Sequence, residues 1–191
     1  MTAATRPRYS LEEYVRLEAH SNVKHEFLGG EIWATGGGTP RHAALASAII
    51  AAFSAALRGR PSRVYTSDAR VRVQATGLDT YPDVTVVCGG EQVDEDDRLA
   101  LVNPLVLVEV TSASSEAYDR GEKLEHYKQI RPLREVVIVS HTEPMIEVFQ
   151  RVDGGATWTS HVARSGLLGV PSIACELDVA DIYRDPFAPS P

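Results

Sequence analysis

Cysteine is scarce in this chain: Cys88 lies inside an apolar run and Cys175 far from it, and neither has a second cysteine at metal-ligand spacing. A disulfide scaffold is thereby excluded, and both residues read as reduced, structural thiols. Also missing is a continuous apolar stretch in the first thirty residues, which carry Arg6, Arg8 and Arg16 instead. Neither a signal peptide nor a membrane span can be built from them, so the expected location is cytoplasmic, away from any membrane. Cations are in deficit, with 19 Lys and Arg against 26 Asp and Glu and a net charge of -7. That balance excludes a protein that coats nucleic acid through bulk electrostatics, a mode that needs many cations neutralising phosphates. Internal repeats and low-complexity tracts are absent, apart from a proline-bearing tail after Asp185 that is expected to fray.

What is there fits one hydrophobic core: 191 residues, 43% of them hydrophobic. Residues 1–185 read as a single domain and 186–191 as its tail. Ser10 followed by Glu13 is a capping-box pattern, which predicts a helix over about 10–19. A Gly29-Gly30 pair between short strand-like pieces predicts a hairpin over 26–33. Thr39-Pro40 opens a helical period running to about 58. Val64 and Thr66, then Val71 and Val73, alternate with Arg70, Arg72 and Gln74, the pattern of a strand with one polar face. Pro82–Cys88 and Leu105–Val110 are denser apolar runs, as expected of central strands covered on both faces. Between them Glu91, Asp94, Glu95, Asp96 and Asp97 read as a solvated acidic loop. A helix follows over 119–130, a strand over 136–139, a hairpin across Asp153-Gly154-Gly155 and a short helix near 178–183. This order defines an α/β (α+β) fold, a mixed β-sheet flanked by helices.

Two acids stand out because they sit in those apolar strands. Asp83 opens one and Glu109 lies near the end of the other, and a bare buried carboxylate costs several kcal/mol unless it is paired. On neighbouring strands the two could share a cleft as hard oxygen ligands for a divalent cation such as Mg2+, with Mn2+ as a substitute. The alternative is a solvated Asp83 and a Glu109 paired with an arginine. Lys123 and Tyr127, four apart, share the face of the next helix, from which Lys123 could reach the strand ends. An exposed lysine in Glu122-Lys123-Leu124-Glu125 is the competing reading. His42, in the first turn of its helix, is expected to stay neutral because the helix dipole disfavours a charged imidazole. If Asp83 is unpaired without metal, its removal should leave stability unchanged or slightly raised.

The run Tyr81-Pro82-Asp83, then Val108-Glu109-Val110-Thr111-Ser112, then Gly121-Glu122-Lys123 and Tyr127, resembles the Uma-type restriction endonucleases of the PD-(D/E)XK nuclease superfamily. The resemblance extends through Glu26–Glu31, His42 and the strand at 136–139, most of the chain. It implies a restriction-endonuclease-like core in which Asp83 and Glu109 hold the metal and the Val110 carbonyl completes the ligand set. It further implies Lys123 as the catalytic lysine, because Thr111 stands where the superfamily has a lysine on the strand. Glu26 corresponds to an acidic position implied to bind a second metal ion or a metal-bound water, with a hairpin surface charge as the alternative, and His42 is carried over as a catalytic candidate, with a helix-cap residue as the alternative. Asp68 also matches, without a role that follows from it. The implied activity is metal-dependent hydrolysis of DNA phosphodiester bonds, with the arginines from Arg58 to Arg72 as backbone contacts. A homodimer would supply two related sites for the two strands. The alternative function is an inactive nucleic-acid-binding or assembly module on the same fold.

Overall fold

The computed structural model describes residues 7–187, so Arg6 and the tail from Ala188 onward lie outside the described residues. Helix α1 (Leu11–His20) starts at Ser10, whose hydroxyl accepts from the Glu13 N–H while the Glu13 carboxylate accepts from the Ser10 N–H. Strands β1 (His25–Leu28) and β2 (Glu31–Ala34) form the hairpin, turning at Gly29 and Gly30 with φ of +59° and +88°. Side chains avoid that region of backbone space and glycine enters it freely, which is why the pair marks the turn. Helix α2 (Pro40–Ala56) begins under a Thr39 cap.

The dense apolar runs become β6 (Val84–Cys88) and β8 (Val106–Val110), which pair antiparallel. β8 pairs in parallel with β9 (Glu135–Val139), the hairpin β10 (Ile146–Arg151) and β11 (Trp158–Ala163) extends one side, and β3 (Ser62–Thr66) closes the other edge. Alternate side chains of this six-stranded sheet enter two cores. Val84, Val86, Val106, Val108 and Val110 pack with Leu45, Ile49 and Phe53 of α2, whereas Val87, Leu107, Val136 and Ile138 pack with Leu124 and Tyr127 on the opposite face. Each fully buried aliphatic side chain contributes about 1.5–3 kcal/mol.

The expected single sheet is in fact three. β1 and β2 join β5 (Leu78–Thr80), β4 (Arg70–Val73) and β7 (Ala100–Leu101) in a five-stranded sheet, and β12 (Leu167–Val170) pairs with β13 (Cys175–Asp178). The segment read as one arginine-bearing strand divides at Ser67–Ala69, its first half in the large sheet and its second in the other. A short α5 (Val179–Ile182) is capped by Asp178. Both cysteines are free thiols. No helix among the described residues is long and apolar enough to cross a membrane.

The charged segments also differ from expectation. Arg70 is 4% exposed and Asp97 1%. Arg70 Nη2 donates to Asp97 Oδ1 at 2.7 Å, while Nε lies 2.7 Å from Oδ2 at an angle that makes it an ion contact rather than a hydrogen bond. Arg72 is bonded to Asp79 and lies 3.6 Å from Asp94. Asp94 and Asp97 of the acidic segment and Asp79 thus neutralise the β4 arginines in the interior, while Glu91, Glu95 and Asp96 are exposed as expected, and neither Arg70 nor Arg72 is free for a DNA backbone. Of the outer arginines, Arg63 pairs with Glu91 and Arg60 donates to the Ile173 carbonyl.

Candidate active site

The register of β6 against β8 delivers the two acids. Val84 pairs with Val108 with both side chains in the α2 core, so Asp83, in the bend just before β6, and Glu109, the next residue of β8, come to the same end of the sheet. Asp83 Oδ2 accepts the Val110 N–H at 2.7 Å, continuing the ladder one residue past the strand pairing. Both acids line one cavity of about 440 Å3. Glu109 is 4% exposed and its Oε1 accepts from the Tyr127 hydroxyl.

Lys123 enters from a helix in three pieces: α3 (Glu116–Tyr118), a π-helical stretch (Asp119–Lys123) and α4 (Leu124–Tyr127). Residues spaced by four rotate away from one another by about 40° per step in a regular α-helix. The wider π turn takes back part of that rotation and brings Asp119, Lys123 and Tyr127 onto one face; such turns recur at functional sites. Lys123 Nζ lies 3.0 Å from Glu109 Oε1, 3.2 Å from Glu26 Oε1 and 4.0 Å from Asp119 Oδ1. At 5% exposure it is no solvated surface lysine. Glu26 accepts from two donors, the Thr80 hydroxyl and, at 3.2 Å, the indole of its cross-strand neighbour Trp33, beside its ion pair with Lys123.

His42, in the first turn of α2, sets its Nε2 3.2 Å from Asp83 Oδ2. The hydrogen bond to Asp83 raises the imidazole pKa, against the effect of burial and with help from the Val110 backbone and Glu109. The shift runs opposite to the lowering expected from the helix dipole, because a carboxylate in contact outweighs the fractional charge of a helix end. The contribution of this pair to stability is full below the unfolded histidine pKa and is lost as pH rises through the folded value. In Asp83→Asn the largest raising influence is gone, so the His42 pKa is expected to fall; ring-proton NMR titration of both proteins reads it, and an unchanged value would show that Asp83 is not its partner.

Four carboxylates line the cavity (Glu26, Asp83, Glu109, Asp119) against the Lys123 ammonium and the His42 imidazole. Burial pushes Glu109 up to about 8 despite the neighbouring ammonium, and burial likewise raises Asp119. The same carboxylates hold the Lys123 ammonium well above the usual lysine range. The surplus of negative charge is thus relieved by a proton on Glu109 or by an added cation. Among the described residues no three His, Cys, Asp or Glu side chains form a ready metal cage. Two carboxylates and the Val110 carbonyl are nevertheless a hard-oxygen donor set that fits a dication. Asp83 Oδ1 and Glu109 Oε2 carry no hydrogen bond among the described residues.

Sequence reasoning passed over Thr80, Trp33, Tyr118 and Asp119. Asp119 had a signal, its spacing of four from Lys123; Thr80 had none, lying 54 residues from Glu26 in the chain. The Tyr118 hydroxyl is buried beside the cavity without a hydrogen-bond partner among the described residues. Thr111, buried at the position of the strand lysine, gives its N–H to Val139. Asp68 is exposed and pairs with Lys24 at 2.6 Å, outside the acidic cluster.

A mixed sheet carrying paired acids at the ends of adjacent central strands, with a helix laid over them, is the restriction-endonuclease-like α+β fold. The chain aligns with the solved structure of "a putative nuclease belonging to DUF820" from Anabaena variabilis with a TM-score of 0.73 at 17% identity, covering 91% of this chain and 97% of that one. The Uma2 family model, described as "Putative restriction endonuclease", matches residues 11–180, and the chain belongs to that family. Two relatives from Synechocystis sp. (strain ATCC 27184 / PCC 6803 / Kazusa) are similar. The "uncharacterized protein slr1290" is 33% identical over 93% of each chain, and the "uncharacterized protein sll1609" is 27% identical over 83% of this chain and 89% of its own.

Proposed function

We propose that the protein is a Mg2+-dependent deoxyribonuclease of the PD-(D/E)XK type, with Mn2+ able to substitute. The observation that carries this reading is the convergence of Asp83, Glu109 and a buried Lys123 in one acid-rich cavity. Asp83, Glu109 and the Val110 carbonyl would hold the cation. When bound, the metal supplies Lewis acidity toward water and toward a phosphate oxygen. Lys123, charged and desolvated, is placed to stabilise negative charge on the phosphoryl group under attack. Glu26, which accepts from Thr80 and Trp33 and lies 3.2 Å from Lys123, is better suited to keeping Lys123 in position than to binding a second ion. His42, 3.2 Å from Asp83 Oδ2, would hold that carboxylate in place beside the cation.

The test is plasmid nicking by purified protein with Mg2+, with Mn2+ and with chelator. Cleavage is expected only with a divalent cation, and cleavage undiminished by chelator would sink the reading. A pH dependence follows from Glu109, because a carboxyl that keeps its proton up to about 8 must lose it to bind metal. Mg2+ affinity by calorimetry is expected to strengthen as pH rises from 6.5 to 8.5; an affinity flat over that range would remove Glu109 from the ligand set. Robust DNA binding with no cleavage under any metal would favour the inactive-module reading.

A further inference from the structure

A second cavity, of about 530 Å3, continues from the active site; the two share the Gly36–Gly38 segment, His42 and Asp83. Its walls include Val23 and Lys24 from the α1–β1 connection, Ser67 from the β3–β4 turn, and Ala43, Ser47 and Ile50 from α2. These α2 residues fall on one helical stripe, and the helix carries no charged side chain after His42. The volume falls within the roughly 300–1,000 Å3 of small-ligand pockets.

Charge decides what this cavity can hold. Two lysines and one histidine line the two cavities together, and each has an acidic partner: Lys24 the exposed Asp68 at 2.6 Å, His42 Asp83 at 3.2 Å, and Lys123 both Glu109 and Glu26. Among the described residues no lining cation stands without an acidic partner to follow a phosphate backbone, the interaction that dominates ordinary DNA binding. Arg70 and Arg72 are likewise consumed inside the protein. A small-residue, largely uncharged pocket beside an acidic site suits a base and sugar, which bind by packing and neutral hydrogen bonds. A base stacked within a duplex cannot enter such a pocket unless it leaves the stack, at a cost of a few kcal/mol that is least when the base is already unpaired.

We propose that this cavity takes one unpaired nucleotide of DNA adjacent to the phosphate to be cut, held by non-ionic contacts, so that the substrate class is single-stranded or locally unpaired DNA. The inference rests on the nuclease reading of the neighbouring site. The test measures fluorescence anisotropy of a labelled single-stranded 12-mer and of its blunt duplex, with Ca2+ replacing Mg2+, for the wild type and Ser47→Trp. Ser47 is exposed on the cavity wall, so the indole fills the space without entering the core. Val23→Trp, at a residue 52% exposed on the opposite wall, serves as the second variant should the first lose its fold.

Single-stranded DNA is expected to bind at least tenfold tighter than duplex, and the tryptophan variant to lose at least tenfold. The slope of log K against log salt should be no steeper than about −1.4, the value for two single-strand phosphates. Equal affinity for blunt duplex, no effect of either tryptophan, a slope steeper than about −3, or no binding of either DNA would each overturn the inference. The two readings fail separately. Binding with these features but no Mg2+-dependent cleavage removes the nuclease reading and leaves the pocket; Mg2+-dependent cleavage of blunt duplex unaffected by the tryptophans does the reverse.

Discussion

Asp83→Ala is expected to reduce Mg2+-dependent DNA cleavage to background, a loss of roughly three orders of magnitude or ~4 kcal/mol in activation free energy. Of the two side chains proposed to hold the cation, this one leaves no nearby substitute, since Glu26 and Asp119 are engaged around Lys123. The substitution also has a structural cost that the sequence did not suggest. Asp83 has partners of its own, accepting the Val110 N–H and facing His42. Removing it leaves a backbone donor at the end of β8 without its partner, which costs about 1–3 kcal/mol. A melting temperature lower by a few degrees replaces the neutral or slightly stabilising effect expected of an unpaired acid. Nicking assays and thermal melts of both proteins decide the matter, and wild-type cleavage by Asp83→Ala would exclude Asp83 from the reaction.

Lys123→Met should be the more damaging change to the fold. The methionine retains most of the apolar stem, so the loss is that of a charge buried among Glu26, Glu109 and Asp119. Breaking a buried pair by removing one partner costs on the order of 3–5 kcal/mol, because the remaining charge has no water and no counter-ion. For a chain of this size that corresponds to a fall in melting temperature on the order of 10 °C. The deficit should be largest above pH 8, where Glu109 ionises, and should narrow as pH falls and burial-raised Glu109 and Asp119 take up protons. Melts at pH 6 and 8.5 test it. A variant as stable as wild type at pH 8.5 would mean that the ammonium is not the counter-ion of the cluster, and retained cleavage would end its role in charge stabilisation.

The helix starts and the tight turns were legible because their signals are local. The Ser10–Glu13 capping box, the Thr39-Pro40 start and the Gly29-Gly30 turn each act over three or four residues, and the structure places each element within a few residues of its expected span. The dense runs around Val86 and Val108 announced central strands, since only strands covered on both faces can be apolar throughout. That these strands bring Asp83 and Glu109 to one cavity depends on their register, Val84 against Val108, because a slip of one residue would turn one acid to the opposite face.

Partnership across the chain was not legible. Arg70 and Arg72 looked like a solvated strand face and Asp94 and Asp97 like a solvated loop, and the fold buries them together. The charge of His42 depends on Asp83, 41 residues away in sequence, and the setting of Glu26 depends on Thr80 and Lys123. By itself the sequence determined where helices start, where chains turn and which strands are central, because these follow from the backbone preferences and polarity of adjacent residues. The tertiary structure alone decided which charges are buried, which are paired and which cavity they line. Desolvation and Coulomb energies depend on distances between elements, and no local pattern in the chain encodes those distances.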